Sequence, residues 1–147
     1  QIDGGTSYHF TRANARWYNS DASHFLGYMY AVGDGVTEDY DESLRWHRIS
    51  ADQGGAWSQL CLGNMYYEGD GAAQDYAEAA KWYRLAGEQG LADAQYNLAV
   101  MYYYGDGVKQ DYAEAAKWYR LAAKQGHVEA ITLLEGVIFH ILWTEKG

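Results

Sequence analysis

The chain has 147 residues, enough for one compact domain, and its 20 acidic against 11 basic residues leave a formal net charge of −9. That charge repels phosphate backbones, so nucleic acid is excluded as the natural partner and a basic or neutral protein surface is favoured. Proline is absent, which excludes proline-rich linkers; a lone Cys61 excludes an intrachain disulfide; and fifteen Tyr with six Trp are far from the composition of a disordered chain.

The sequence opens QIDGG without Met, which reads as a processed or trimmed fragment. Residues 1–19 fit no complete unit of the pattern that follows. Shifting the frame by 36 places Phe10 under Trp46 and Arg12 under Arg48, so residues 5–18 read as the second helix of a worn preceding copy.

Three copies of one pattern then follow at a 36-residue period. They are LGYMYAVGDGVTEDYDESLRWHRISADQG from Leu26, LGNMYYEGDGAAQDYAEAAKWYRLAGEQG from Leu62 and LAVMYYYGDGVKQDYAEAAKWYRLAAKQG from Leu98. A fixed period in this range means an array in which each unit buries its apolar face against its neighbours. Each copy reads as helix, loop, helix. In the third copy the first helix spans about Ala92 to Tyr104, and Leu98, Met101 and Tyr102 form one apolar stripe. Leu26, Met29, Tyr30 and Leu62, Met65, Tyr66 are the same stripe in the other copies. Gly27, Gly63 and Ala99 lie beside it and let helices approach closely.

Gly-Asp-Gly at 33–35, 69–71 and 105–107 ends each first helix, because glycine reaches the positive φ of a tight exit. Asp39, Asp75 and Asp111 start the second helices, each followed three residues later by Glu42, Glu78 or Glu114 in a capping-box pattern. Trp46, Trp82 and Trp118 stand in register, and Gln-Gly at 53–54, 89–90 and 125–126 ends each copy.

These residues resemble the Sel-1-like repeat, a cousin of the tetratricopeptide repeat with a longer glycine-bearing loop. The resemblance covers about residues 20–127. It implies an all-α fold, a right-handed α-solenoid of helix-turn-helix units that serves as an adaptor for other proteins. Ala72 and Ala73 in the second loop, Leu44, His47 and Ser50 in copy one and Ala99 in copy three depart from the pattern without breaking it. The expected layout is one domain over 1–147. An N-terminal helix or degenerate repeat at 1–19 is followed by repeats at 20–55, 56–91 and 92–127 and by a capping helix at 128–147. A bacterial source is implied, and export to the periplasm is compatible with it.

After Gly126 the chain begins like another first helix, Ala130 matching Ala94 and Leu134 matching Leu98. Where Gly-Asp-Gly would come it has Ile141, Leu142 and Trp143. A terminal cap explains this segment, but Val137 to Trp143 is apolar nearly all round, which also suggests a homo-oligomer surface.

Positions that stack the array are identical across copies, whereas the opposite side of the first helix varies. One column is His24, Leu60, Tyr96; the next is Tyr28, Asn64, Val100; Ala31, Tyr67, Tyr103 and Val32, Glu68, Tyr104 follow, with Asp21, Trp57, Asp93 at the start. The resemblance implies that the first helices line the concave groove. The partner-binding candidates are therefore His24, Tyr28, Trp57, Leu60, Asn64, Tyr67, Tyr96, Val100, Tyr103 and Tyr104. Aromatic side chains with few rotors suit such contacts. The expected partner is a peptide or protein surface, held in three repeats with roughly micromolar affinity.

No catalytic residue, metal or cofactor is expected. A calcium loop needs six or more oxygens from acids at alternate positions, which these loops lack. Gly-Asp-Gly lacks the Lys and hydroxyl of a phosphate loop. Cys61 and His24 sit one register position apart, but a third orienting group is missing and cysteine is more often a small buried hydrophobe. His9, His47, His127 and His140 show no metal spacing. No run of apolar residues is long enough for a membrane span.

Overall fold

A computed structural model of the chain describes residues 20–33 and 39–146, with side chains from Leu26 onward. The N-terminal helix expected at 5–18, Asp34, Gly35 and Glu38 of the first loop, and the side chain of His24 lie outside the described residues. Seven α-helices and no strand occur among the described residues. They are α1 (Ser20–Val32), α2 (Tyr40–Asp52), α3 (Ala56–Glu68), α4 (Tyr76–Glu88), α5 (Ala92–Tyr104), α6 (Tyr112–Lys124) and α7 (Val128–Lys146). The chain divides into two compact units, one ending at Asp75 and the other running from Tyr76.

In the first unit α1, α2 and α3 pack around Leu26, Met29 and Trp46, with Tyr30 and Ile49 partly buried against them. The polar departures of copy one are accommodated there. Ser43 donates to the Gly27 carbonyl at 2.8 Å, and His47 Nδ1 lies 3.3 Å from Ser58 Oγ. Gly27 is needed for close approach: a Cβ there would sit 2.8 Å from the His47 ring.

The second unit packs α4 on α5, α5 on α6, and α6 on α7. Leu98, Ala99 and Met101 of α5 are fully buried, and Trp118, Tyr119 and Ala122 of α6 are almost so. Each side chain of the Leu98 and Met101 class is worth about 1.5–3 kcal/mol when removed from water. The stripe therefore carries much of the packing energy.

The caps are half of what the spacing predicts. Asp39 accepts from the N–H groups of Asp41 and Glu42, and Asp111 accepts from that of Glu114. The reciprocal half of a capping box is replaced. The backbone N–H groups of Asp39, Asp75 and Asp111 donate to the carbonyls of Tyr30, Tyr66 and Tyr102, at 2.8–2.9 Å. Glu42, Glu78 and Glu114 instead pair with Arg45, Lys81 and Lys117 one turn along. The loop is thus tied to the preceding helix, and the acids remain near the helix N-terminus where its dipole favours them.

Both glycines of the loop motif are required, for different reasons. Gly69 and Gly105 hold φ of 83° and 76° as left-handed caps, donating to the carbonyls of Met65 and Met101. Gly71 and Gly107 also have positive φ, 77° and 73°, and they press on backbone. A Cβ on Gly71 would lie 2.6 Å from the Tyr40 carbonyl oxygen, and one on Gly107 would collide with the Tyr76 carbonyl. Gln74 and Gln110 complete each loop by donating to the carbonyls of Tyr67 and Tyr103 at 2.8 Å.

Further contacts recur at the 36-residue spacing. Buried Gln59 donates to the Ala51 carbonyl, and buried Gln95 to that of Gly87. The Arg48 guanidinium bonds the Tyr66 hydroxyl and lies over its ring; Arg84 does the same with Tyr102. The next member of the series is broken, because Arg120 stands in register with Ile138.

Candidate functional site

The variable positions of the first helices have different fates. In the first unit Tyr28 and Trp57 are 51% and 55% exposed, Asn64 is exposed and Tyr67 is half-buried. Leu60 is only 7% exposed, so it packs inward and offers no contact surface. In the second unit Tyr96, Val100 and Tyr103 are half-buried and Tyr104 is 65% exposed.

Tyr96, Val100, Tyr103 and Tyr104 of α5 line one open cavity of ≈ 340 Å³. Its other walls are Tyr119 of α6 and Leu133, Gly136 and Val137 of α7. The α-helical spacing explains the α5 contribution: residues 96, 100, 103 and 104 fall three or four apart and share a face. Tyr119 is buried at the base, its ring centroid 5.8 Å from that of Tyr96. Tyr103 meets Tyr104 edge to face at 5.0 Å and Tyr112 at 5.1 Å.

Three of these phenols, Tyr96, Tyr103 and Tyr119, resist ionisation. Burial raises the pKa of Tyr119 far above the ordinary tyrosine range, with smaller contributions from Tyr96, Tyr104 and Tyr103. Burial likewise raises Tyr96, then Glu129 and Tyr104, and raises Tyr103, then Tyr112 and Tyr104. The hydroxyls of Tyr96, Tyr103 and Tyr119 therefore hold their protons and can donate or accept.

His127 adjoins the cavity residue Tyr96, its ring stacked on the phenol at 4.6 Å. Its Nδ1 accepts from the Ala130 N–H at 3.2 Å, so in that arrangement the proton is on Nε2, which donates to Asp93 at 3.2 Å. His127 thus caps α7, with the carboxylates of Asp93 and Glu129 beside it.

Tyr119, Gly136 and His127 were not among the sequence candidates. Tyr119 matches Tyr83 in the preceding copy, with His47 in the first, and lies on a second helix, so it reads as scaffold. Gly136 continues the variable column of Tyr28, Asn64 and Val100, and following that column past the third repeat would have found it.

Nucleophilic chemistry finds no support. Burial pushes the Cys61 thiol up to about 11, which suppresses the thiolate a nucleophile needs. Among the described residues no three His, Cys, Asp or Glu side chains are placed to hold a metal ion, and no helix is long and apolar enough to cross a membrane.

The model of the Sel1 repeat family matches residues 20–55, 58–91 and 92–127. The chain belongs to the Sel1 repeat family. Its structure superposes on that of a Sel1 repeat protein from Oxalobacter formigenes with a TM-score of 0.82 and 33% identity, covering 88% of this chain and 52% of that one. It also matches a protective antigen with an SLR fold from uropathogenic Escherichia coli, with a TM-score of 0.75 and 44% identity over 78% of this chain and 25% of that one. Helicobacter pylori cysteine rich protein B shares the fold at a TM-score of 0.67 and 21% identity, covering 86% of this chain and 99% of that one. The Sel1 chain therefore spans about half of the first protein and a quarter of the second. No curated protein matches it.

Proposed function

We propose that this Sel1 repeat chain is a non-catalytic adaptor that holds a peptide or partner protein on the aromatic positions of its first helices. Sel1 repeats are generally protein-interaction scaffolds and typically non-catalytic. The observation that carries the reading is the cavity over Tyr96, Val100, Tyr103 and Tyr104. Positions that vary between copies converge there, and tyrosines supply large contact area at low entropy cost. Tyr28 and Trp57 give the first unit its own exposed aromatic positions, with Tyr67 half-buried. The net charge of −9 opposes a phosphate backbone, so the partner is a protein.

The test is affinity capture with the parent and with a Tyr67→Ala/Tyr103→Ala variant whose melting stays cooperative. Each retained protein is then purified and titrated against both. The reading expects at least a ~10-fold loss of affinity in the variant, about 1.4 kcal/mol. Equal affinity for both would overturn it.

A second reading, self-association through α7, rests on a separate observation. Phe139 is 64% exposed and Trp143 is 70% exposed, with Leu142 and Ile131 also open. Ile131 and Ile138 occupy the register positions of Gln95 and Tyr102, whose side chains bond Gly87 and Arg84 of α4. Concentration-dependent sedimentation that reverts to monomer in Phe139→Ser/Trp143→Ser is expected. A parent that stays monomeric at high concentration would exclude it.

A further inference from the structure

Every helix-interior glycine must be explained, because glycine costs about 1 kcal/mol against alanine there. Gly27 is explained by the His47 ring, and Gly87 by Trp118 and Gln95, which a Cβ would meet at 3.2–3.3 Å. Gly136 is different. A Cβ at Gly136 would meet nothing within 4 Å, and its backbone does not require glycine. Packing therefore does not demand it. What its missing side chain leaves is the α7 wall of the tyrosine cavity.

We infer that this cavity is a socket for a guanidinium side chain, an arginine presented by the bound peptide, and that Gly136 keeps it open. The inference rests on the groove reading above and names its anchor. Three observations choose the occupant. Tyr96, Tyr103, Tyr104 and Tyr119 offer ring faces and hydroxyl oxygens, and no Lys or Arg lines the space. Cations bind over such rings, Arg most often. The carboxylates of Asp93 and Glu129 both adjoin His127, whose ring stacks on Tyr96 of the cavity, so the negative charge near that wall suits a cation. The same chemistry already operates twice inside the molecule. Arg84 bonds the Tyr102 hydroxyl while lying 5.6 Å from that ring's centroid and 5.9 Å from the Trp118 ring, and Arg48 repeats the arrangement on Tyr66. A guanidinium has five N–H donors and no acceptor, which matches neutral phenol oxygens. A volume of ≈ 340 Å³ has room for one long side chain.

The probe is N-acetylarginine methylamide, titrated into protein with isotope-labelled tyrosine rings and followed by NMR. Its citrulline analogue has nearly the same shape without the charge, and its leucine analogue is apolar. The expected result is saturable shifts at Tyr96, Tyr103 and Tyr104, with arginine bound at least ~5-fold tighter than citrulline. Gly136→Leu fills the space and is expected to weaken arginine at least ~10-fold. Tyr104→Leu is a second variant, at a side chain 65% exposed and so outside the core, and is expected to weaken it ~3-fold or more. Arginine and citrulline binding equally, leucine binding tighter than arginine, or Gly136→Leu leaving arginine unaffected would each overturn the socket. The groove reading fails separately. A captured partner lost by Tyr67→Ala/Tyr103→Ala but held equally by Gly136→Leu would retain the groove and remove the socket.

Discussion

Alanine at Gly107, Gly126 and Gly136 separates three costs inside one unit of the fold. All three sites lie in the unit beginning at Tyr76, so they report on the same unfolding event. Gly107 has a φ of 73°, and a Cβ there would collide with the Tyr76 carbonyl at the start of α4. Left-handed backbone costs an alanine roughly 1–2 kcal/mol. Forcing packed atoms apart adds about 1–3 kcal/mol. The sum is about 2–5 kcal/mol. Gly126 has a φ of 86° but open space around its Cβ, so only the backbone term of roughly 1–2 kcal/mol applies. Gly136 has neither penalty, and helix propensity makes alanine more stable there by about 0.5–1 kcal/mol. Urea unfolding followed by circular dichroism measures the series. With a slope of about 1–2 kcal/mol/M, Gly107→Ala is expected to lower the midpoint by roughly 2 M, Gly126→Ala by about 1 M, and Gly136→Ala to raise it. If Gly107→Ala cost no more than Gly126→Ala, the close approach of loop to helix would not be a constraint, and the account of the second loop glycine would fail.

Alkaline stability tests the tyrosine cluster. Burial raises the Tyr119 pKa in the folded state, so the folded chain holds that proton longer than the unfolded one. The stabilisation is complete below the ordinary tyrosine value of about 10 and is lost as pH rises above it. Thermal melts between pH 8 and 11.5 are expected to fall more steeply for the parent than for Tyr119→Phe, and parallel curves would refute the burial argument. The broken arginine series gives a repair experiment. Ile138→Tyr places a ring and hydroxyl where Arg48 and Arg84 find theirs, next to Arg120 in register. A gain of about 0.5–1 kcal/mol is expected in urea unfolding, and no gain would show that α7 does not carry the repeat geometry that far.

The array was legible in the sequence because its causes are local. A 36-residue period, an apolar stripe at helical spacing, aspartates at helix starts and glycines at helix exits are all short-range requirements. The helix at Ala92–Tyr104 has the bounds its periodicity predicts. Even so, the capping pattern was only half right. The cap N–H groups go to Tyr30, Tyr66 and Tyr102, partners that capping spacing within the second helix does not reveal.

The site was legible by column but not by depth. Leu60 and Tyr96 share one register position, yet Leu60 is buried and Tyr96 lines the cavity. Periodicity says which residues share a helix face. It does not say how far neighbouring side chains fill the space in front of that face, because that depends on residues brought together from other helices. Tyr119, Gly136 and Val137 come from two such helices, and the volume they leave is a difference between packed and unpacked space that no single segment encodes. The sequence alone therefore determined the repeat, its stripe and its loop chemistry. Tertiary packing decided which variable residues stay open, where four tyrosines converge, and that a glycine of α7 forms part of the cavity wall.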